Sequence, residues 1–363
     1  MSASDTRRSG HGLSILVLTL VLSQLAALLP TRAAAAPQDP ERMRDLYVSA
    51  DPADHPEADY ERHIRRKART DSVFAAVTEG VVDYQKITIP SRIGDMDLPL
   101  YVYQPLNKRG PKGHAALIMV HGGVHGNWTE NYWPFVKEAV DRGYVVVAPE
   151  YRGSTGYGKA FHEAIDYGGY EVDDAVSSVD YLKSLPHVDP DRIGIMGWSH
   201  GGFITLHALA RFPGTFQGGA AIVPVTNLVF RLSYKGPRYQ RLFSTQQRIQ
   251  GLPFEKREEY IARSPVYQVD RIQDPILVHL ATNDRDVNFV ECEMLVHALR
   301  VKKPELAETK IYTDPPGGHS FSRRVDRETL QMELTPEMRD SWNRTWTFLE
   351  WNLRPYQETP EGG

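Results

Sequence analysis

The chain contains a single cysteine, so no disulfide can form within it. Cys292 lies among apolar residues in a segment with helical periodicity, and we expect it to be a small buried side chain. An excess of positive charge is also absent, because 42 lysines and arginines face 46 aspartates and glutamates, giving a net charge of −4. Nucleic-acid-binding proteins usually carry a clustered basic surface, and this composition does not indicate such a partner.

Long apolar runs are missing except for one near the N-terminus, at residues 13–29. Arg7 and Arg8 precede this run, and small residues at 33–36 follow it. That order is typical of a cleaved signal peptide. An uncleaved membrane anchor is the alternative, although a run of about 17 residues is near the lower limit for a spanning helix. We predict a signal peptide over residues 1–36 and an exported protein, periplasmic or secreted, without stable membrane association.

The remaining sequence divides by composition into three parts. Residues 37–80 form a polar N-terminal extension, residues 81–355 form the main domain, and residues 356–363 form a tail. Within the extension, residues 61–69 are strongly basic. We interpret this stretch as a solvated helix face rather than as a nucleic-acid or membrane patch.

Strand and helix patterns alternate from residue 81 onward. Period-two alternation predicts antiparallel strands, and apolar runs predict buried parallel strands. The predicted strands cover residues 86–90, 98–103, 115–120, 144–148, 192–197, 219–223, 276–280 and 310–312. The predicted helices cover residues 133–142, 171–185, 202–211, 289–299 and 336–353. This alternation indicates an α/β fold with a mostly parallel central sheet flanked by helices.

One long segment, residues 226–264, interrupts the alternation and is rich in charged and aromatic side chains. We predict that it is a helical cap insertion over the carboxyl edge of the sheet. Ligands of open α/β sheets bind at that edge. The insertion is therefore expected to shape a pocket.

The sequence Gly197-Trp198-Ser199-His200-Gly201 fits the pattern G-x-S-x-G. An apolar strand precedes it and a helical pattern follows it, which is the setting of a nucleophile elbow. A capping serine at a glycine-rich helix start is the alternative. We predict that Ser199 is a catalytic nucleophile and that the fold is the α/β-hydrolase fold.

A serine hydroxyl needs a general base, and 13 histidines are available. In this fold the triad follows the chain order serine, acid, histidine. His319 lies on a glycine-bearing loop after the last strand and is the predicted base. His279 and His297 fall within a strand and a helix and are interpreted as structural. His200 is adjacent to the serine along the chain, so its side chain is expected to point elsewhere.

The acid is expected after the penultimate strand, where two aspartates compete. We favour Asp284 over Asp286 because it opens a D-x-x-V turn. For the oxyanion hole, which needs two backbone N–H donors, we assign His200 and Gly123, with Gly122 as a close second.

A metal site is an alternative interpretation of the loop that follows the third strand, because His121 and His125 are four residues apart. Its glycines disfavour a helix, and no third ligand is evident. We predict neither a metal nor any other cofactor.

These motifs resemble the catalytic domain of the prolyl oligopeptidase family of serine peptidases. The matching segments are His121-Gly122-Gly123, residues 149–158 (PEYRGSTGYG), residues 197–202 (GWSHGG), and the loops of Asp284 and His319. The run from Tyr151 to Gly158 is the most specific of them. The resemblance extends over about residues 81–353.

The resemblance implies that Ser199, His319 and Asp284 cleave a peptide bond through an acyl-enzyme, and that Tyr151, Trp198 and Asp286 contact the substrate. The sequence departs from the family at Val124, where a tyrosine or proline is usual. It also departs in length, because the fewer than 90 residues before the main domain leave no room for a β-propeller. Propeller-free relatives include esterases, so a carboxylesterase of small acyl or carbohydrate esters is the alternative. A non-catalytic binding protein is a third hypothesis. The expected partner is a small peptide or ester substrate, and the oligomeric state is open.

Overall fold

A computed structural model describes Ser49 and residues 51–356. Its centre is an eight-stranded sheet with the order β1-β2-β4-β3-β5-β6-β7-β8. The pairs β1–β2 and β2–β4 are antiparallel, and the other five pairs are parallel. The strands are β1 (Asp83–Pro90), β2 (Asp97–Gln104), β3 (His114–Val120), β4 (Val145–Pro149), β5 (Val188–Trp198), β6 (Gly218–Ile222), β7 (Ile276–Ala281) and β8 (Ala307–Tyr312). The expected α/β fold with a mostly parallel sheet is confirmed.

Helices connect and cover these strands. They are α1 (Tyr60–Thr78), α2 (Trp133–Asp141), α3 (Gly158–Glu163), α4 (Tyr170–Ser184), α5 (His200–Arg211), α6 (Leu228–Tyr234), α7 (Pro237–Ser244), α8 (Arg257–Ala262), α9 (Phe289–Lys302) and α10 (Pro336–Leu353). Within the described part of the chain, no helix has the length and apolar content needed to cross a bilayer. The predicted signal peptide and residues 357–363 of the predicted tail lie outside the described residues.

The core has two layers, one on each face of the sheet. On β4, Val145 and Val147 pack into one layer and Val146 into the other, because successive strand residues point to opposite faces. Helices α4, α5 and α9 cover the first layer, and α2 and α10 cover the second. Every residue of β3, β4, β6 and β7 is buried, which explains the continuous apolar runs of these strands.

The segment 226–264 contains the three short helices α6, α7 and α8. Its start is fixed to α9 by Glu291, whose carboxylate accepts the backbone N–H of Thr226 at 2.8 Å and pairs with Arg231 at 3.2 Å. The adjacent Cys292 is buried, as predicted, and its thiol donates to the carbonyl oxygen of Pro224. The insertion is thus attached to the main domain by a buried ion pair.

The basic stretch 61–69 forms part of helix α1, and its arginines are exposed. Lys67 corrects the expectation of a wholly solvated face, because its side chain is only 3% exposed. Its ammonium group pairs with the buried Glu150 and donates to the carbonyl oxygen of Trp128 at 2.6 Å. A charge excluded from water must be paired. The partner, Glu150, directly follows β4 and is far from Lys67 in the sequence.

Candidate active site

Ser199 lies between β5 and α5, at the carboxyl end of a central strand. Its backbone has φ 57° and ψ −116°, an unfavourable conformation for a residue with a side chain. The turn closes only because Gly197 and Gly201 have no Cβ, since one at either position would overlap backbone atoms. The serine N–H donates to the carbonyl oxygen of Ile222 on β6 at 2.9 Å. This is the strand-turn-helix geometry of a nucleophile elbow.

Asp284 and His319 meet at the same edge of the sheet. His319 Nδ1 donates to Asp284 Oδ2 at 2.7 Å. Asp284 Oδ1 accepts the backbone N–H groups of Asp286 and Val287, each at 2.9 Å, so the carboxylate is held by its own turn. A proton on Nδ1 leaves Nε2 as the basic nitrogen of the neutral ring.

His319 is 20% exposed on its loop. Among the described residues no hydrogen bond joins its Nε2 to Ser199 Oγ. Such bonds are often long in unliganded sites and shorten when substrate binds. Gly318 lets the loop pack closely, because a Cβ there would lie 2.9 Å from the carbonyl oxygen of Asn283.

The structure separates the two competing aspartates. Asp284 is mostly buried and contacts the histidine, whereas Asp286 is exposed and its carboxylate accepts no hydrogen bond from the described residues. The other histidines lie elsewhere. His279 is in the core, hydrogen-bonded to Ser341 Oγ at 2.9 Å, and His297 is exposed on α9.

The loop of Gly122 and Gly123 lies directly against the elbow. A Cβ at Gly122 would be 2.9 Å from the carbonyl oxygen of Trp198 and 3.5 Å from Ser199 Cβ. The Gly122 N–H donates to Tyr132 Oη at 3.0 Å, which favours Gly123 over Gly122 as the predicted oxyanion donor. Gly123 remains available for that role.

His200 is the other predicted backbone donor. Its N–H is the first in α5 and has no intrahelical acceptor. Its side chain is buried, and burial lowers the pKa of the ring well below its usual value, so the ring is neutral at pH 7. The neighbouring Glu171 lies 3.7 Å away and is itself buried, and burial followed by repulsion from Asp166 raises the pKa of Glu171 to about 8.

Tyr151 and Trp198, expected as substrate contacts, are both core residues. Tyr151 is fully buried, stacks on His121, and donates from its hydroxyl to the Gly123 carbonyl oxygen at 2.7 Å. Trp198 is 2% exposed and packs against Phe135 beneath the elbow. Both side chains are therefore part of the core that supports the elbow and the Gly123 loop.

His121 and His125 have different neighbours. His121 is buried beside Glu150 and Ser154, whereas His125 stacks on His162 with ring centroids 3.7 Å apart. No group of three or more metal-ligating side chains placed to hold an ion occurs within the described residues.

Lys67 connects helix α1 to Trp128 and Glu150, a contact that the sequence did not predict. Its partner Glu150 also accepts the Trp128 N–H at 3.1 Å and lies 3.3 Å from His121 Nε2. Burial alone would raise the pKa of Glu150, but attraction by Lys67 and then by His121 lowers it to about 2. The carboxylate is therefore ionised at neutral pH.

A cleft of about 1880 Å³ opens over the oxyanion loop. Its floor includes Gly122 and Gly123, one wall is helix α1, and the opposite wall is helix α7 of the insertion. The loop that follows His319 contributes Arg323 and Arg327. The insertion thus lines the same cleft as the loop of Gly122 and Gly123.

Comparison with known proteins agrees with this geometry. A profile of the prolyl oligopeptidase family matches residues 133–335, which include Ser199, Asp284 and His319. The chain is 30% identical over 226 residues to the uncharacterized peptidase YuxL of Bacillus subtilis, an alignment covering 61% of this chain and 33% of the relative. It is 30% identical over 211 residues to dipeptidyl aminopeptidase BIII of Pseudoxanthomonas mexicana, covering 57% and 30%.

Solved structures show the same fold. The acylaminoacyl peptidase of Pyrococcus horikoshii superposes with a TM-score of 0.63 at 21% identity, covering 79% of this chain and 44% of that one. The chain spans about a third of the length of the curated relatives described above. Because the family profile matches more than half of the chain, the chain is a serine hydrolase and belongs to the prolyl oligopeptidase family.

Proposed function

We propose that this protein cleaves peptide bonds by acyl transfer through Ser199, His319 and Asp284. The observation that carries the proposal is the 2.7 Å hydrogen bond between His319 Nδ1 and Asp284, at the sheet edge where the elbow presents Ser199. Family membership supports the reaction class.

In the first half-reaction, the Ser199 hydroxyl transfers its proton to His319 Nε2 as Oγ bonds to the substrate carbonyl carbon. The N–H groups of Gly123 and His200 stabilise the resulting oxyanion. His319 then donates the proton to the amine as the carbon–nitrogen bond breaks, leaving an acyl-enzyme. Asp284 orients the imidazole and stabilises its charged form without taking the proton.

In the second half-reaction, water gives a proton to His319 and attacks the acyl-enzyme. The ester bond to Ser199 Oγ breaks, Oγ regains the proton, and the carboxylic acid leaves. No cofactor participates in this scheme.

The test is hydrolysis of paired substrates by the purified protein. Peptide p-nitroanilides and p-nitrophenyl esters with the same acyl group are compared for wild type and Ser199→Ala. We expect turnover of both substrate types and a loss of at least about a thousandfold in the variant. Turnover of esters alone would assign the protein as a carboxylesterase, and activity that survives in Ser199→Ala would overturn the triad.

We also propose that the protein is exported and loses residues 1–36. The support is the sequence order of Arg7 and Arg8, the apolar run and the small residues that follow. Expression of the full chain in its native host, followed by fractionation and mass spectrometry of the N-terminus, tests this. A cell-associated protein that retains its first residues would contradict it.

A further inference from the structure

Arginines line the cleft from both walls and from the loop after His319. They include Arg66 and Arg69 on α1, Arg238 and Arg241 on α7, and Arg323 and Arg327 after the histidine loop. None of them has an ion-pair partner among the described residues, whereas the buried Arg152, Arg231 and Arg263 are all paired. The cleft therefore presents several arginine side chains with no protein carboxylate to bind.

The same lining holds eight lysines and arginines but five carboxylates, those of Asp54, Glu57, Asp59, Glu130 and Glu163, so its net charge is positive. Asp54, Glu57 and Asp59 precede helix α1, and Asp59 caps it by accepting the Arg62 N–H at 2.9 Å. Glu130 accepts the hydroxyl of Thr70 at 2.7 Å. A positive cleft on a chain of net charge −4 focuses anions toward the floor of the site.

Arg323 is linked to the oxyanion loop through the side chain of Tyr132. It lies four residues after His319, and its guanidinium carbon is 4.7 Å from the centre of the Tyr132 ring. The hydroxyl of Tyr132 accepts the Gly122 N–H, so one side chain separates Arg323 from the oxyanion loop. Its Nε is shielded from solvent and has no hydrogen-bond partner among the described residues.

The cation–π contact with Tyr132 holds the guanidinium group in place, and its two Nη groups donate no hydrogen bond to the described residues. A planar fork of donors matches a carboxylate in bidentate geometry. We propose that the cleft selects acidic substrates, and that Arg323 pairs with a substrate carboxylate close to the scissile carbonyl. This inference rests on the proposed hydrolysis at Ser199, and it names the substrate class of that site.

Two kinds of substrate carry such a carboxylate: peptides with an acidic side chain and peptides with a free C-terminus. Acetyl-Ala-Glu and acetyl-Glu-Ala p-nitroanilides, each compared with its glutamine counterpart, test the side chain at two positions. Unlabelled peptides with a free or amidated C-terminus, followed by mass spectrometry, test the other source. We expect kcat/KM to favour the charged member of at least one pair by roughly tenfold or more.

Arg323→Gln is expected to bring that ratio close to one, and Arg323→Lys to retain part of it. The matched control is Arg271→Gln, because Arg271 is exposed, has no ion pair and lies outside the cleft lining. The control should keep the wild-type ratio. A wild-type ratio near one for every pair, or a ratio that Arg323→Gln leaves intact, would overturn the assignment.

Binding separates this inference from the proposed reaction. Ser199→Ala protein is titrated with dansyl-labelled pentapeptides that differ only in glutamate against glutamine. Tighter binding of the glutamate peptide, lost in the double variant with Arg323→Gln, supports the acidic cleft even if wild type cleaves nothing. Equal binding of both peptides, with cleavage by wild type, would reject the acidic cleft and leave the proposed function standing.

Discussion

The two sides of the site are built in different ways. On the sheet side, Ser199 is held by glycines without room for a Cβ and by buried side chains such as Trp198. On the cleft side, the surface consists of exposed arginines on helices α1 and α7, which are distant in sequence. Backbone packing positions the reacting groups, whereas the exposed arginines are the side chains that we propose to select the substrate.

The largest expected effect is the difference in kcat between the Asp284→Asn and Asp286→Asn variants. Replacing the buried carboxylate removes the acceptor that fixes the His319 tautomer, and we expect kcat to fall by about 10⁴-fold. Replacing the exposed Asp286 should change kcat by less than about tenfold. Steady-state kinetics on a peptide anilide gives both values, with thermal melting as a check on folding. The reverse ranking would identify Asp286 as the acid of the triad.

The sheet side was largely predictable from sequence. G-x-S-x-G after an apolar strand located Ser199, and the D-x-x-V turn located Asp284, because both are local patterns with a fixed backbone geometry. Tyr151 and Trp198 were misassigned, since a motif does not say which of two faces a side chain takes.

The position of helix α1, which contributes to the cleft lining, was not predictable for a different reason. Lys67 and Glu150 pair across 83 residues, and no local pattern signals a contact of that separation. The only sequence signal was a lysine at a helical spacing from Thr70 and Phe74, which share its buried face. Arg323 follows His319 closely, but its stacking on Tyr132 depends on the folded loop.

A second test concerns Lys67, where helix α1 enters the packed region. Lys67→Met leaves the Glu150 carboxylate buried without its main partner, and we expect a loss of about 3–5 kcal/mol in the free energy of unfolding. Lys86→Met is the control, because its pair with Asp71 is partly exposed and worth less than about 1 kcal/mol. Chemical denaturation measures both.

Equal losses in the two lysine variants would contradict a special role for the buried pair. The double variant of Lys67→Met with Glu150→Gln should recover part of the loss, because it removes the unpaired charge.

The smallest expected effect concerns Glu171, beneath the elbow. The pKa of Glu171 in the folded protein, about 8, exceeds its unfolded value. Its contribution to the free energy of unfolding is therefore fully present below pH 4.5 and is lost as the pH rises toward 8. The glutamine of Glu171→Gln cannot ionise. Relative to wild type, the free energy of unfolding of this variant should therefore rise by at least about 1 kcal/mol between pH 5 and pH 8. Denaturation at both pH values gives the difference, with the exposed Glu79→Gln as control. A difference independent of pH would show that Glu171 is ionised in the folded protein.

Helix α1 combines two kinds of position in 19 residues. Lys67, Phe74 and Thr78 are buried, whereas Arg66 and Arg69 line the cleft. Substitutions at the cleft-facing positions change little of the buried contact area, so they are thermodynamically inexpensive. Natural variation in this helix can therefore alter the substrates accepted while leaving folding and turnover chemistry intact, which makes it a favourable place for specificity to diverge.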